Sequence, residues 1–285
     1  MNNLIISMEA TCELTKEMLA EYDFRIIDME YTISGQVYST SKDDVASTRL
    51  YERMKKGEKT GTSQINETQY EEFFDKLLDE GKEVLHIGFS SGLSGTYYSA
   101  LRGAKAANSR HENQVLVIDS LCGCGGQTLL AIMAKKFAKT AKTIDEVAEF
   151  VDKNSLKINH TFSVDNLKYL VSGGRIKAST AFFGNLLNVK PIMKMDNNGK
   201  LCSCSKVISR RRALATLASD CCKRADKSEN LCFISHANCE ADALFIKAYL
   251  EDNSHLKPVV TNMVPIIGSH SGPGTIAIFF LGDKR

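Results

Sequence analysis

The chain has 285 residues, 43% of them hydrophobic and 25% charged, with only four prolines. This is the composition of an ordinary soluble globular protein, long enough for one large domain or two of common size around a substantial core. The 36 basic and 34 acidic residues leave a formal net charge of +2. That lacks the basic excess a nucleic-acid partner demands, so none is expected.

The opening residues 1–19 hold a short apolar core interrupted by Glu9, without the charged lead, longer apolar run and cleavage site of a signal peptide. No stretch approaches the ~18–20 apolar residues of a membrane span, so no transmembrane segment and a cytoplasmic location are expected. Residues 3–7 (NLIIS) read as a strand, 13–22 as a helix and 24–29 as a second strand. Residues 67–81 form a strongly amphipathic helix, with Tyr70, Phe73, Phe74, Leu77 and Leu78 on one face and Gly81 as its stop. Strand 83–89, helix 95–107, strand 114–120 and helix 125–139 follow. Strands spaced by helices of this length predict right-handed crossovers and a parallel sheet. One more helix is expected over 143–157, with Thr143 as N-cap and Glu146 completing a capping box.

From about residue 157 the rhythm changes. Six strand candidates (158–164, 188–195, 201–208, 230–236, 256–264 and 275–282) are separated in places by only a short turn, as in the Asn-Asn-Gly of 195–201. Helices are expected at 210–225 and 240–253. The spacing therefore predicts two α/β domains: an N-terminal parallel-sheet domain over 1–155 and a mainly antiparallel α+β domain over 156–285. Cys12, Cys122, Cys124, Cys202, Cys204, Cys221, Cys222, Cys232 and Cys239 are an odd number in C-x-C and C-C spacings. They read as reduced, mostly buried thiols rather than as a disulfide framework or a zinc site.

The stretch VLHIGFSSGLSGTYYSALRGAKAA, 84–107, runs from a strand through small residues into a helix. Gly88-Phe89-Ser90-Ser91-Gly92 formally matches the G-x-S-x-G turn of a serine hydrolase, with His270 far downstream. Yet five more small-residue loop positions intervene before the helix. The alternative is anion capture, in which Gly92-Leu93-Ser94-Gly95-Thr96 offers backbone N–H groups, hydroxyls and the positive end of a helix dipole to a carboxylate or phosphate. A nucleotide P-loop is excluded by the missing Lys. A turn and cap with no ligand is the third reading.

Three further stretches bear on the choice: Thr62-Ser63-Gln64 before a helix, Gly173-Gly174-Arg175-Ile176, and His270 in what reads as a Gly/Ser/Pro loop before the last strand. TSQ, SSGLSGTYYSA, VIDS, LKYLVSGGRI, LLNVKPIM and HSGPGTIAI occur in this order along nearly the whole chain. In that set the chain resembles the DegV family of bacterial fatty-acid-binding proteins. The resemblance implies two α/β domains with a long-chain fatty acid between them, no cofactor and no catalysis by the chain itself. It implies that Thr62 and Ser94 hold the carboxylate with His270 at the head group, supported by Ser91, Gly92 and Gly95. It also implies a partner, the ATP-binding subunit of a fatty acid kinase, to which such proteins present the lipid. The alternative is a serine esterase using Ser90 with His270. Two departures from the family pattern stand out. The opening T-D-S-T-A-D-L reads MEATCEL here, with Glu9 for the Asp and Ala10 for the Ser. V-R-T reads Val207-Ile208-Ser209, so docking would fall to Arg175 and to Arg210 and Arg211, with Arg212 beside them.

Overall fold

The computed structural model describes residues 3–40, 46–177 and 188–285. Its first half runs β1 (Leu4–Glu9), α1 (Lys16–Tyr22), β2 (Arg25–Ile27), β3 (Glu30–Ile33), β4 (Gln36–Ser39), α2 (Ala46–Lys55), β5 (Thr60–Thr62), α3 (Glu67–Leu78), β6 (Glu83–Gly88), α4 (Thr96–Asn108), β7 (Val115–Asp119), α5 (Cys124–Ala138) and α6 (Ile144–Ser155). Its second half runs β8 (Ile158–Ser163), α7 (Lys168–Ser172), β9 (Val189–Met195), β10 (Leu201–Ile208), α8 (Arg210–Arg224), β11 (Leu231–His236), α9 (Glu240–Asn253), β12 (Lys257–Asn262), α10 (Pro265–Ser271) and β13 (Ile276–Leu281). The first two residues of LLNVKPIM, at 186–187, lie outside the described residues.

The strands make three sheets. The first has the order β2-β1-β6-β7 and is parallel throughout, as the crossover spacing predicts. The second has the order β10-β9-β8-β13-β11-β12 and is antiparallel except where β11 meets β12. The predicted turn joins β9 to β10: Asp196 N–H donates to Lys200 O at 2.8 Å and Gly199 takes φ 67°. The third sheet, β4-β3-β5, has no counterpart in the sequence reading. Its strands are three or four residues long, too short for a clear alternation.

Helix α5 joins the two larger sheets. Nearly all its residues are buried, from Cys124 to Ala134 without interruption, with the polar Gln127 and Thr128 satisfied by Glu9 and by the Glu13 backbone. It packs against α6 and β1 on one side and against β8, β11 and β13 on the other. Gly125 and Gly126 make this approach possible, because a Cβ there would lie 2.5 Å from Phe233 and 2.3 Å from His160. One apolar cluster consequently runs from β1 through α5 to Phe162, Phe233 and Phe279, while a second lies under α8 and α9.

Some local expectations shift. Helix α1 starts at Lys16 rather than at Glu13, because Thr15 caps it, accepting from Met18 N–H at 3.2 Å. Thr143 caps α6, but the Glu146 carboxylate accepts from Lys142 N–H, so the box does not close on Thr143. The complete capping box belongs to α3, between Asn66 and Gln69. All nine cysteines are free, and Cys12, Cys122, Cys124, Cys221 and Cys232 are buried. Among the described residues, no helix is long and apolar enough to cross a membrane.

Candidate functional site

A cavity of about 400 Å³ lies where the three sheets meet, within the ~300–1,000 Å³ usual for small-molecule sites. Its walls are apolar: Phe89 and Leu93 come from the loop after β6, and Phe162, Ala277 and Phe279 from the second sheet. Met195 and Leu201 flank the β9–β10 turn, and Met263, Ile266 and Ile267 lie in and before α10. The deep wall includes His160, whose polarity is spent on the backbone. Its Nε2 accepts from Gly123 N–H at 3.1 Å and its Nδ1 faces Ile158 O at 3.1 Å. Burial holds this imidazole well below its ordinary pKa, with Arg285 adding to the effect, so it is neutral and presents a ring to the cavity.

Polar groups gather at one end. β5 ends on Thr62, and α10 places His270 in its last turn, so that Thr62 Oγ1 and His270 Nε2 lie 2.9 Å apart. The expected loop around His270 is therefore a helix, started by Pro265 at its first position and closed by Gly272 at φ 79°. Burial lowers the His270 pKa to about 4, with the nearby Arg175 cation adding to it, so His270 is neutral around pH 7. Ser94 lies across the same cavity, just before α4. Its Oγ accepts from Thr96 N–H at 3.2 Å and lies 2.8 Å from Thr96 Oγ1. Its hydroxyl proton can serve Thr96 or a ligand. Ser63, Gln64 and Gly95, also in the lining, are exposed, whereas Phe89, Phe162, Met195, Met263 and Phe279 are buried. The polar end faces outward and the apolar end inward.

Arg175 joins this end. The sequence reading turned it toward a partner; the structure puts it in the cavity lining, half-buried, with Nη1 donating to Gly173 O. Burial lowers its pKa, yet a guanidinium remains cationic at any ordinary pH. Arg210 is likewise no free rim charge: its Nη2 pairs with Asp242 at 2.8 Å and its Nη1 with Asp165 at 3.5 Å. Arg211 and Arg212 are exposed, the former lying over the Phe245 ring.

The supporting loop divides. Gly95 lines the cavity against Gln64, while Ser91 N–H is tied to Asp119 Oδ1 at 3.1 Å and Gly92 N–H to Ser90 Oγ at 3.2 Å. Ser90 is fully buried outside the cavity lining, and its hydroxyl donates to Gly199 O at 2.9 Å. His270 is engaged with Thr62 instead. Among the described residues the geometry joins no base to Ser90, and the hydrolase constellation is not assembled there.

Behind the loop lies a support that the sequence signalled only as a departure. Glu9 is fully buried; its Oε1 accepts from Tyr70 Oη at 2.8 Å and faces His86 Nε2 at 3.2 Å. Its Oε2 accepts from Phe89 N–H and Gln127 Nε2, both at 2.9 Å. Burial pushes this carboxyl up, but the proximity of His86 and the hydrogen bonds from His86 and Tyr70 outweigh it, leaving it below the usual range. Glu9 thus fixes Phe89, the first residue of the loop that carries Ser94. A second buried carboxyl, Glu13, accepts from Thr261 Oγ1 at 2.7 Å and from Ser235 Oγ, while its Oε1 has no hydrogen-bond partner among the described residues.

The family model described as "Uncharacterised protein, DegV family" matches residues 3–283. A DegV domain-containing protein of Clostridium perfringens is 31% identical over 289 residues, covering 100% of this chain and 99% of the relative. Two solved structures share the fold closely. A DegV lipid binding protein of Thermotoga maritima has a TM-score of 0.85 at 25% identity, with 99% of both chains covered. DegV of Bacillus subtilis, described as a fatty acid binding protein, has a TM-score of 0.82 at 26% identity, again with 99% of both chains covered.

Proposed function

Since the chain belongs to the DegV family, we propose that it binds a long-chain fatty acid, its acyl chain in the cavity and its carboxylate at Thr62, Ser94, His270 and Arg175. The observation that carries this reading is the polarity of the cavity, one apolar space with hydroxyls, a neutral imidazole and one cation at its outer end. The energetics suit it. At ~0.8 kcal/mol per buried methylene, a chain of about 16 carbons offers on the order of 11–12 kcal/mol before the costs of binding. The polar end need only keep the head group from being stranded, since an unpaired buried carboxylate would be costly. Hydroxyl donors and one guanidinium meet its lone pairs.

The outward-facing head group also suits presentation of the carboxylate to a separate ATP-dependent fatty acid kinase, with this chain as the non-catalytic, lipid-holding subunit. In such a step a carboxylate oxygen would attack the γ-phosphorus of ATP bound to the partner, giving an acyl phosphate and ADP.

The test of binding is direct. Purified protein, denatured and extracted, should release fatty acid at near-stoichiometric level by mass spectrometry, and stripped protein should take up added palmitate or oleate. Recovery of no lipid, together with no uptake of either acid, would refute the reading.

A further inference from the structure

Ser90 has no base beside it among the described residues, yet its polar groups are all engaged. Besides donating to Gly199 O at 2.9 Å and accepting from Gly92 N–H, it is held through its own N–H, which donates to Cys122 O at 2.9 Å. The contact it makes is close on both sides. A Cβ on Gly92 would lie 2.3 Å from Asn198 O, and one on Gly199 would lie 2.1 Å from Ser90 Oγ. The turn between β9 and β10 therefore sits directly on the 89–95 loop, with backbone, the Ser90 hydroxyl and the end of the Leu121 side chain in the seam.

A second tie holds the same turn from the other side. Arg285 Nη1 donates to Asp196 O at 3.0 Å, while its Nε donates to Ile158 O and its Nη2 to Ser155 O, both at 2.9 Å. Arg285 thus anchors the turn to the start of β8 and the end of α6. The two arms of the hairpin differ: β9 is paired to β8 and buried from Pro191 to Met193 and at Met195, whereas β10 is the outermost strand of its sheet and largely exposed from Ser203 to Ile208, so the turn and β10 are the parts held mainly by these ties.

The hairpin forms part of the cavity wall. Met195 and Leu201, on either side of the turn, face the same space as Phe89 and Leu93 of the loop beneath. Lifting the turn from that loop would separate these pairs and open the cavity along its side, without disturbing Thr62 or His270.

We infer that Ser90 is a positioning residue for fatty-acid binding, which with Arg285 clasps the 196–200 turn onto the loop bearing Ser94, and that release of this clasp is the step by which the acyl chain enters and leaves. The inference rests on the fatty-acid reading of the cavity. It assigns the conspicuous serine of the G-x-S-x-G match to kinetics rather than to chemistry.

A clasp that gates exchange changes entry and exit rates by the same factor and leaves the equilibrium affinity where it was. The experiment loads the stripped protein with radiolabelled oleate and chases with excess unlabelled oleate, measuring association and dissociation separately. Ser90→Ala should speed both about fivefold, the kinetic equivalent of one lost hydrogen bond, and Arg285→Gln should act in the same direction. The double variant Ser90→Cys/Gly199→Cys tests the reverse. A Cβ on Gly199 would lie 3.3 Å from Ser90 Cβ, just under the ~3.5–4.5 Å a disulfide spans; because φ 67° strains any side chain at Gly199, the reduced form of the same variant is the control. Oxidised, and with the cross-link confirmed by peptide mapping, it should slow exchange at least ~10-fold, and reductant should restore it. Wild-type exchange rates in both single variants would overturn the clasp, as would a cross-linked protein that exchanges freely. A weakened affinity at unchanged association rate would instead make Ser90 an ordinary contact and also overturn it. Wild-type protein that binds no oleate at all would remove the fatty-acid reading and the clasp together; binding with unaltered exchange removes the clasp alone.

Discussion

Glu13 should make the protein less stable as the pH rises from about 4 toward about 7, and Glu13→Gln should abolish that loss. The carboxyl is completely buried, hydrogen-bonded to Ser235 and Thr261 through one oxygen and, among the described residues, unpartnered at the other. Burial pushes its pKa up to about 7, against the lowering effect of those two hydroxyls and of the Val264 backbone. Unfolded, it would titrate near ~4.3. Between these values folding takes up a proton, so stability declines with increasing pH, starting near the unfolded value and levelling off above about pH 7. At ~1.4 kcal/mol per pH unit, this group alone should cost on the order of 3 kcal/mol between pH ~4 and pH ~8. A glutamine cannot ionise, its carbonyl oxygen can still accept from Ser235 and Thr261, and its amide replaces the unpaired oxygen. Urea denaturation of both proteins at several pH values checks the claim. The stability of the variant minus that of the wild type should be small below pH ~5 and grow to about 3 kcal/mol by pH ~8. Taking the difference cancels the other titrating groups, including His270, whose lowered pKa acts with the opposite sign because its stabilisation is lost as pH falls from its unfolded value toward about 4. Parallel stability curves, or a wild type that is the more stable at high pH, would refute the reasoning.

Thr62→Ala and Ser94→Ala should each weaken oleate binding by about 1–3 kcal/mol, the usual consequence of leaving a buried polar group under-paired, as titration calorimetry would show; full affinity in both would take the carboxylate away from these hydroxyls. Arg175→Ala should cost oleate a comparable ~1.5–3 kcal/mol, the range for hydrogen bonds to a charged group. The same change should leave methyl oleate nearly unaffected, so equal losses for acid and ester would place Arg175 outside the head-group contact.

The elements that proved legible in the sequence are those whose stability is local or whose burial pattern is long. Helix α3 shows Tyr70, Phe74, Leu77 and Leu78 buried on one face, as its periodicity requires, and the crossover spacing yields the parallel order of the first sheet. What escaped is short and held from outside. β5 spans three residues and α7 five, and α10 fits one apolar turn between Pro265 and a glycine. Neither a short strand nor a short helix is stable alone in water, so neither leaves a periodic trace. They persist because α10 packs on β3, β5 and α2, where Tyr51 Oη donates to Met263 O at 2.8 Å. These same pieces deliver Thr62, Arg175 and His270 to one point. The motifs therefore announced the residues while hiding their arrangement, and Arg175 shows the consequence. An arginine after two glycines reads as a surface charge until the fold turns that loop over the cavity mouth. Glu9 and Glu13 are the same lesson in carboxylates. Each is an acidic residue beside an apolar strand, with nothing in the sequence to separate them. The fold gives the first a full set of partners and a lowered pKa, and leaves the second half-satisfied with a raised one. Their difference is decided by Tyr70, His86 and Gln127 on one side and by Ser235 and Thr261 on the other, contacts that cross as many as 248 positions of chain. Such contacts are legible only once the sheets have closed around α5.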